Sequence, residues 1–143
     1  AAAHAGWRGL AQGVLSNTVK SFTDNGILAN QIIAWLGPAI SQAAFEVGPE
    51  VRLAFGEFES GEAWADKHCF IEGDRDRLQG DIYRLATLQL EWLGIKGIYG
   101  AGKEDEFCTF SDLDSAGEAR FFSYRRQTIT GRQASMIWLD SSQ

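Results

Sequence analysis

Asp81-Ile82-Tyr83-Arg84-Leu85-Ala86-Thr87-Leu88-Gln89-Leu90-Glu91-Trp92-Leu93-Gly94 is the stretch that decides the fold class. Ile82, Leu85, Ala86, Gln89 and Leu93 recur at the spacing of one helical face. Asp81 is a suitable N-cap, and Gly94 stands where a left-handed residue ends a helix. Directly after it, residues 95–99 read as a short strand. Before it, residues 57–80 are polar, charge-dense and interrupted by glycines, as in a surface insertion with one helical turn at residues 63–65. Glu57, Glu59 and Glu62 form a solvated face in that insertion.

Working outward, Pro49 suits the first turn of a helix reaching about Phe55, and residues 45–47 read as extended. Ile32-Ile33-Ala34-Trp35-Leu36, closed by Gly37-Pro38, has the length and β-branching of an interior strand. Leu10, Val14, Leu15, Val19 and Phe22 line one face of a helix over residues 10–22 that Asp24-Asn25-Gly26 stops. A short buried strand at residues 1–5 and a Gly6-Trp7-Arg8-Gly9 turn lead into it. Downstream, residues 107–110 are expected to be extended and 112–118 a loop. Residues 121–125 and 133–139 are expected as two strands joined by a turn containing Thr130-Gly131. Phe107, Phe110, Phe121, Phe122 and Tyr124 are expected in the core. Helices interspersed with short strands belong to an α/β or α+β domain.

The 143 residues suffice for one domain with a sizeable core, and 12% aromatic content is too much apolar area for a disordered chain. A net charge of −6 without a Lys/Arg block offers no footprint for a phosphate backbone, which argues against a nucleic-acid partner. Apolar runs are only a few residues long, against the ~20 a bilayer span needs. Cys69 and Cys108 lie far apart and outside any CxxC spacing, as expected of reduced thiols in a cytoplasmic protein.

His4 stands at the end of the opening stretch before a glycine-bounded turn, a place where a side chain can meet a cleft as a metal ligand or general base. His68-Cys69 reads as a surface-loop pair, because neighbours on an extended chain point to opposite faces. Arg8, Arg125, Arg126 and Arg132 lie nearest to turns or strand ends, and a guanidinium fork there can hold a phosphate or carboxylate. On a strand one of Arg125 and Arg126 must face outward, so at most one of them is expected to line a site. Trp7 can stack on a base or simply pack. A zinc site needs three or four donors, and no cluster at workable spacing is present. Two histidines and one methionine do not make a multicopper cluster. No Walker A, GxGxxG, GxSxG or HExxH pattern occurs.

Several of these stretches, taken in order, carry a resemblance. They are Ala1-Ala2-Ala3-His4-Ala5-Gly6-Trp7-Arg8-Gly9-Leu10, Ala34-Trp35-Leu36-Gly37-Pro38-Ala39-Ile40 and Phe45-Glu46-Val47-Gly48. Cys108-Thr109, Phe121-Phe122-Ser123-Tyr124-Arg125-Arg126, Thr130-Gly131-Arg132 and Ala134-Ser135-Met136-Ile137-Trp138-Leu139 follow. The set closely resembles the YfiH-type bacterial proteins, called multicopper polyphenol oxidases or laccase-like proteins and also described as purine nucleoside phosphorylases with adenosine deaminase activity. It spans essentially the whole chain.

The resemblance implies an α+β fold, a layered α/β/β/α sandwich of the kind shared with toxin cysteine deamidases. It also implies a cleft in which two histidines and a cysteine hold a metal, usually zinc, with copper the alternative. His4 matches the last of those ligands, in the catalytic position. The other two belong to segments absent here, and Cys108 is a different position from the ligand cysteine. The chain is therefore expected to be the C-terminal part of a single-domain protein of roughly 240 residues. The implied activity converts adenosine and phosphate to adenine and ribose 1-phosphate, or adenosine to inosine, with Arg8 and Arg125 on the substrate. The expected partners are a purine nucleoside and phosphate, without nucleic acid or membrane. The alternatives are a laccase-like copper oxidase of phenols and a catalytically incomplete fragment lacking the upstream His and Cys.

Overall fold

A computed structural model describes residues 1–56, 69–102 and 107–138. Helix α4, Ile82–Trp92, forms as its sequence dictates. The Asp81 carboxylate accepts the Arg84 N–H at 2.8 Å, and Gly94, at φ 87°, lets the Ile95 N–H return to the Leu90 carbonyl at 3.0 Å. Its apolar face supplies Ile82, Tyr83, Leu85 and Ala86 to one cluster and Leu90 to a second.

The helix expected over residues 10–22 is two helices, α1 (Trp7–Ala11) and α2 (Val14–Thr23). Gly13 divides them at φ 78°, a conformation a residue with a Cβ adopts at a cost. Its N–H closes α1 onto the Leu10 carbonyl, and its own carbonyl accepts the Asn17 N–H to begin α2. Helix α1 is thereby separate from α2, and Leu10 near its end is fully buried. The buried Gln89 side chain donates to the Leu10 carbonyl at 3.2 Å and ties this corner to α4.

Strand β1, Ile33–Leu36, pairs in parallel with β5, Gly97–Gly100, Ile33 lying opposite Gly97 and Leu36 opposite Gly100. Val19 of α2, Leu90 of α4 and Ile95 pack with Ala34, Leu36 and Ile98 on one face of this pair. On the other face Ile33 is 72% exposed and Trp35 63%, so β1 is not the interior strand its composition suggested. Its alternating burial is that of a half-covered sheet.

A second, antiparallel sheet runs in the order β2 (Glu46–Val47), β4 (Leu78–Gly80), β3 (Phe70–Glu72). The stretch expected as insertion thus contains two strands. Leu78 and Cys69 bring apolar groups inward while Arg75 and Arg77 stay outside. Cys69 is fully buried, which corrects its reading as half of a surface pair. His68, the helical turn expected at 63–65 and the acidic face of Glu57, Glu59 and Glu62 lie outside the described residues. Helix α3, Pro49–Ala54, begins with Pro49 in its first turn, and Val51 and Phe55 anchor it in the main cluster.

Residues 107–138 differ from expectation. The segments at 121–125 and 133–138 form no strand, residue 139 being outside the described set. Only isolated bridges occur, Ala39 with Cys108 and Leu113 with Ala119. Gln133 spends its side-chain carbonyl on the Phe122 N–H at 2.8 Å, where a ladder would use backbone. Phe107, Phe110, Phe122 and Tyr124 are exposed, against their expected place in the core. Residues 1–5 likewise make no strand, and Ala1, Ala2, Ala3 and His4 are exposed. Among the described residues no helix is long and apolar enough to cross a membrane. The mixture of a parallel pair, an antiparallel sheet and packed helices is α+β.

Candidate functional site

The first turn of α1, strand β2, the start of α3 and the turn carrying Arg125 meet around a hollow of about 350 Å³. Trp7 and Arg8 line it from α1, Glu46 and Val47 from β2, and Glu50 and Val51 from α3, with Arg77 and Arg125 completing the rim. It adjoins a wider depression of about 780 Å³ that shares Glu46, Gly48, Glu50 and Arg77 and extends over Asp74, Arg75 and Asp76. A Cβ at Gly48 would fall 2.0 Å from Glu50 Oε2, so a side chain there would turn the Glu50 carboxylate out of its present position.

Arg8 and Arg125, far apart in sequence, line the same hollow. The Arg8 guanidinium carbon lies 4.2 Å from the centroid of the Trp7 ring, and among the described residues it forms no ion pair. Arg125 donates from Nη1 to the Glu46 carbonyl at 2.7 Å and lies 5.5 Å from the Phe45 ring centroid. That bond uses one arm of the fork and fixes the plane of the rest. Arg126 turns the other way, donating to the carbonyls of Thr109, Phe110 and Phe121. Of the two adjacent arginines Arg125 lines the hollow and Arg126 does not, and they sit in a turn, not on the strand from which that division was expected. Arg132 is exposed and outside this lining.

Three lining residues escaped the sequence reading. Arg77 comes from the β3–β4 hairpin, where it looked like one charge among many; its Nε lies 3.8 Å from Glu46 Oε1. Glu46 and Glu50 flank Gly48-Pro49, and a carboxylate pair straddling a Gly-Pro break was the available signal. Three guanidinium groups against two carboxylates leave the hollow with one net positive charge, a setting for an anion that displaces Glu46 from Arg77.

His4 is exposed and absent from the lining; its Nε2 lies over Gly6, 3.5 Å from where a Cβ would stand. Among the described residues no group of three or more His, Cys, Asp or Glu could hold a metal ion. A zinc or copper ion needs more donors than His4 supplies, so these residues do not fit the expected metal.

The two cysteines form no disulfide with each other, and both are buried and outside the hollow. Burial, followed by the Asp81 carboxylate, pushes Cys69 up to about 11 against a small opposing effect of Arg84. Cys108 goes the other way. Burial raises it, but hydrogen bonds from the hydroxyls and backbone amides of Ser111 and Ser41 outweigh that and bring it down to about 7. The Ser41 N–H lies 3.3 Å from its Sγ.

The comparisons with known proteins agree with one another. The family model described as multi-copper polyphenol oxidoreductase laccase matches residues 1–140. The chain is 48% identical over 139 residues to purine nucleoside phosphorylase PA4543 of Pseudomonas aeruginosa, covering 97% of this chain and 51% of that protein. It is 47% identical over 139 residues to purine nucleoside phosphorylase YfiH of Escherichia coli, covering 97% and 50%. Among solved structures, Neisseria meningitidis protein NMB0706 matches with a TM-score of 0.70 at 40% identity, over 87% of this chain and 45% of that one. Bacillus licheniformis YfiH matches with a TM-score of 0.71 at 26% identity, over 87% and 43%. The chain spans about half the length of the curated relatives it matches. A match over nearly the whole chain, in sequence and in fold, makes it a member of the YfiH-type family, the one described as multi-copper polyphenol oxidoreductase laccase.

Proposed function

We propose that the chain supplies the phosphate-holding part of a purine nucleoside phosphorylase that also deaminates adenosine. The observation that supports this reading is the convergence of Arg8 and Arg125 on one hollow beside Trp7. Relatives named purine nucleoside phosphorylase are 48% and 47% identical to it over 97% of this chain.

In phosphorolysis a phosphate oxygen forms a bond to C1′ of the ribose as the bond from C1′ to the purine nitrogen breaks. The electron pair leaves with the base, which takes up a proton. The protein's task at the phosphate is to neutralise and orient an anion that must approach a carbon from one side. Guanidinium forks suit that role because they are always charged and bind two oxygens in plane. Arg125, braced on the Glu46 carbonyl, is the oriented holder. Arg8, backed by the Trp7 face, is the second. Arg77, paired with Glu46 at 3.8 Å, adds a third positive group to the rim. In deamination a water oxygen bonds to C6, the C6–N bond to the amino group breaks, and ammonia leaves with the water's proton to give inosine. Zinc supplies an activated water in such chemistry, but His4 alone does not fit that ion, so no step of this proposal runs through a metal.

The test is calorimetric titration of the full chain with inorganic phosphate, then incubation with adenosine and phosphate with separation of the products. Saturable phosphate binding weakened at least tenfold in Arg125→Gln is expected, with adenine release that requires phosphate and inosine formation that does not. Absence of phosphate binding would overturn the reading. Oxygen uptake with a phenol and added copper would favour the laccase-like alternative instead.

A further inference from the structure

Arg126 does not touch the hollow, yet it holds the segment that delivers Arg125 to it. Its guanidinium spreads across three backbone carbonyls. Nη1 donates to Thr109 at 3.2 Å and Phe110 at 2.7 Å, and Nη2 donates to Phe121. The first two belong to the stretch after Cys108, where the Thr109 N–H reaches the Ala39 carbonyl at 2.9 Å beside the end of β1. The third begins the Phe121-Phe122-Ser123-Tyr124-Arg125 run. The Arg126 and Gln127 N–H groups both return to the carbonyl of buried Ser123, closing a turn around Tyr124 and Arg125.

Residues 121–127 have no ladder partner, so this clamp and turn provide the long-range support that sheet pairing would otherwise give. Three carbonyls reached from two arms of one group suit a guanidinium fork, because an ammonium is a point donor on a flexible stem. Two consecutive arginines thus divide the work: one faces the framework and the other the hollow.

We infer that Arg126 is a positioning residue for anion binding, acting through Arg125 by fixing the 123–127 turn. The inference rests on the phosphate-holding reading for its ligand, although the geometry it asserts exists without one. Two measurements on the full chain test it. The first is a double-mutant cycle of phosphate affinity. Arg126→Gln alone should weaken binding about fivefold to tenfold, whereas in an Arg125→Gln background it should add less than about twofold, because residues acting through one group are not additive. A purely structural role would weaken both backgrounds alike, and such additivity would overturn the inference.

The second measurement needs no ligand. The Arg125 side-chain resonances should be displaced by the Phe45 ring current, and Arg126→Gln should abolish that displacement, with Arg126→Lys restoring part of it. Persistence of the displacement in a folded Arg126→Gln chain would overturn the inference. If the wild-type chain binds no phosphate, the functional reading fails while this resonance test still decides the positioning role. If Arg126→Gln does not fold, Arg126→Lys carries both measurements, with smaller effects in the same directions.

Discussion

Helix α4 buries six side chains between Ile82 and Leu90, whereas across residues 107–138 only Cys108 and Ser123 are buried. The first region is held by apolar contact and local caps. The second is held by polar side chains reaching backbone, such as Arg126 to three carbonyls and Gln133 to the Phe122 N–H. Apolar packing tolerates small shifts at many contacts, while a clamp of a few directional bonds stands or falls with one residue. The difference teaches where each kind of residue belongs: the framework rests on α4, and an arginine that lines the hollow is hung from the clamp.

Four measurements can break or sharpen this contrast. Leu85→Ala removes a fully buried side chain from the main cluster and should cost about 3 kcal/mol in denaturant unfolding. A loss below about 1 kcal/mol would mean that α4 is not the centre of the packing.

The thiols give the contrast a pH signature. The folded Cys108 titrates at about 7, below its ordinary 9.0, so its stabilisation is full above pH 9 and disappears as pH falls through 7. Stability should therefore rise by something on the order of 2 kcal/mol from pH 7 to 9, and Cys108→Ser should flatten the rise. Cys69 has the opposite sign. Its folded value of about 11 lies above 9.0, so its contribution declines as pH rises between those values. Thiolate absorbance of the folded chain checks the assignment directly: one equivalent should appear near pH 7 and vanish in Cys108→Ser.

Asp81→Ala deletes the cap on α4 and should cost about 1 kcal/mol, read from the same unfolding curves. Smallest of all, Arg120→Ala should cost less than about 1 kcal/mol, since the arginine side of its 3.0 Å bridge to Asp112 is open to solvent. A larger loss would show that the contacts of Arg120 with the Phe107 and Phe121 rings, 5.4 Å from each centroid, hold the 107–138 region more firmly than its exposure suggests.

The same contrast explains what could be read from sequence. The α4 signals are local: a cap, a period and a terminating glycine all lie within one stretch, and each has its structural counterpart. Residues 121–125 carry aromatic and β-favouring side chains, but whether they become a strand depends on a partner strand that no local pattern specifies. The hairpin of β3 and β4 was hidden for the reverse reason. Its charged turn dominated the composition, while inward contacts rest on Cys69, Leu78 and partly buried Phe70. The exposed face of β1 was equally invisible, because a run of apolar residues does not state which of its two faces is covered. At the candidate site the arginines were recognisable by type, but their meeting on one hollow is a product of the whole chain path. Arg77 and the two glutamates became visible only there. His4 was the most suggestive residue in sequence and is peripheral to that hollow.

The break at Gly13 has an architectural consequence. A continuous helix would lock the direction of Trp7 and Arg8 to the packing angle of α2 against the sheet. With a left-handed residue between them, the chain can restart as a second helix at that point. Trp7 and Arg8 thus reach the hollow while Leu10, in the same short helix, stays anchored in the main cluster. A single glycine lets five residues serve the surface and the interior at once.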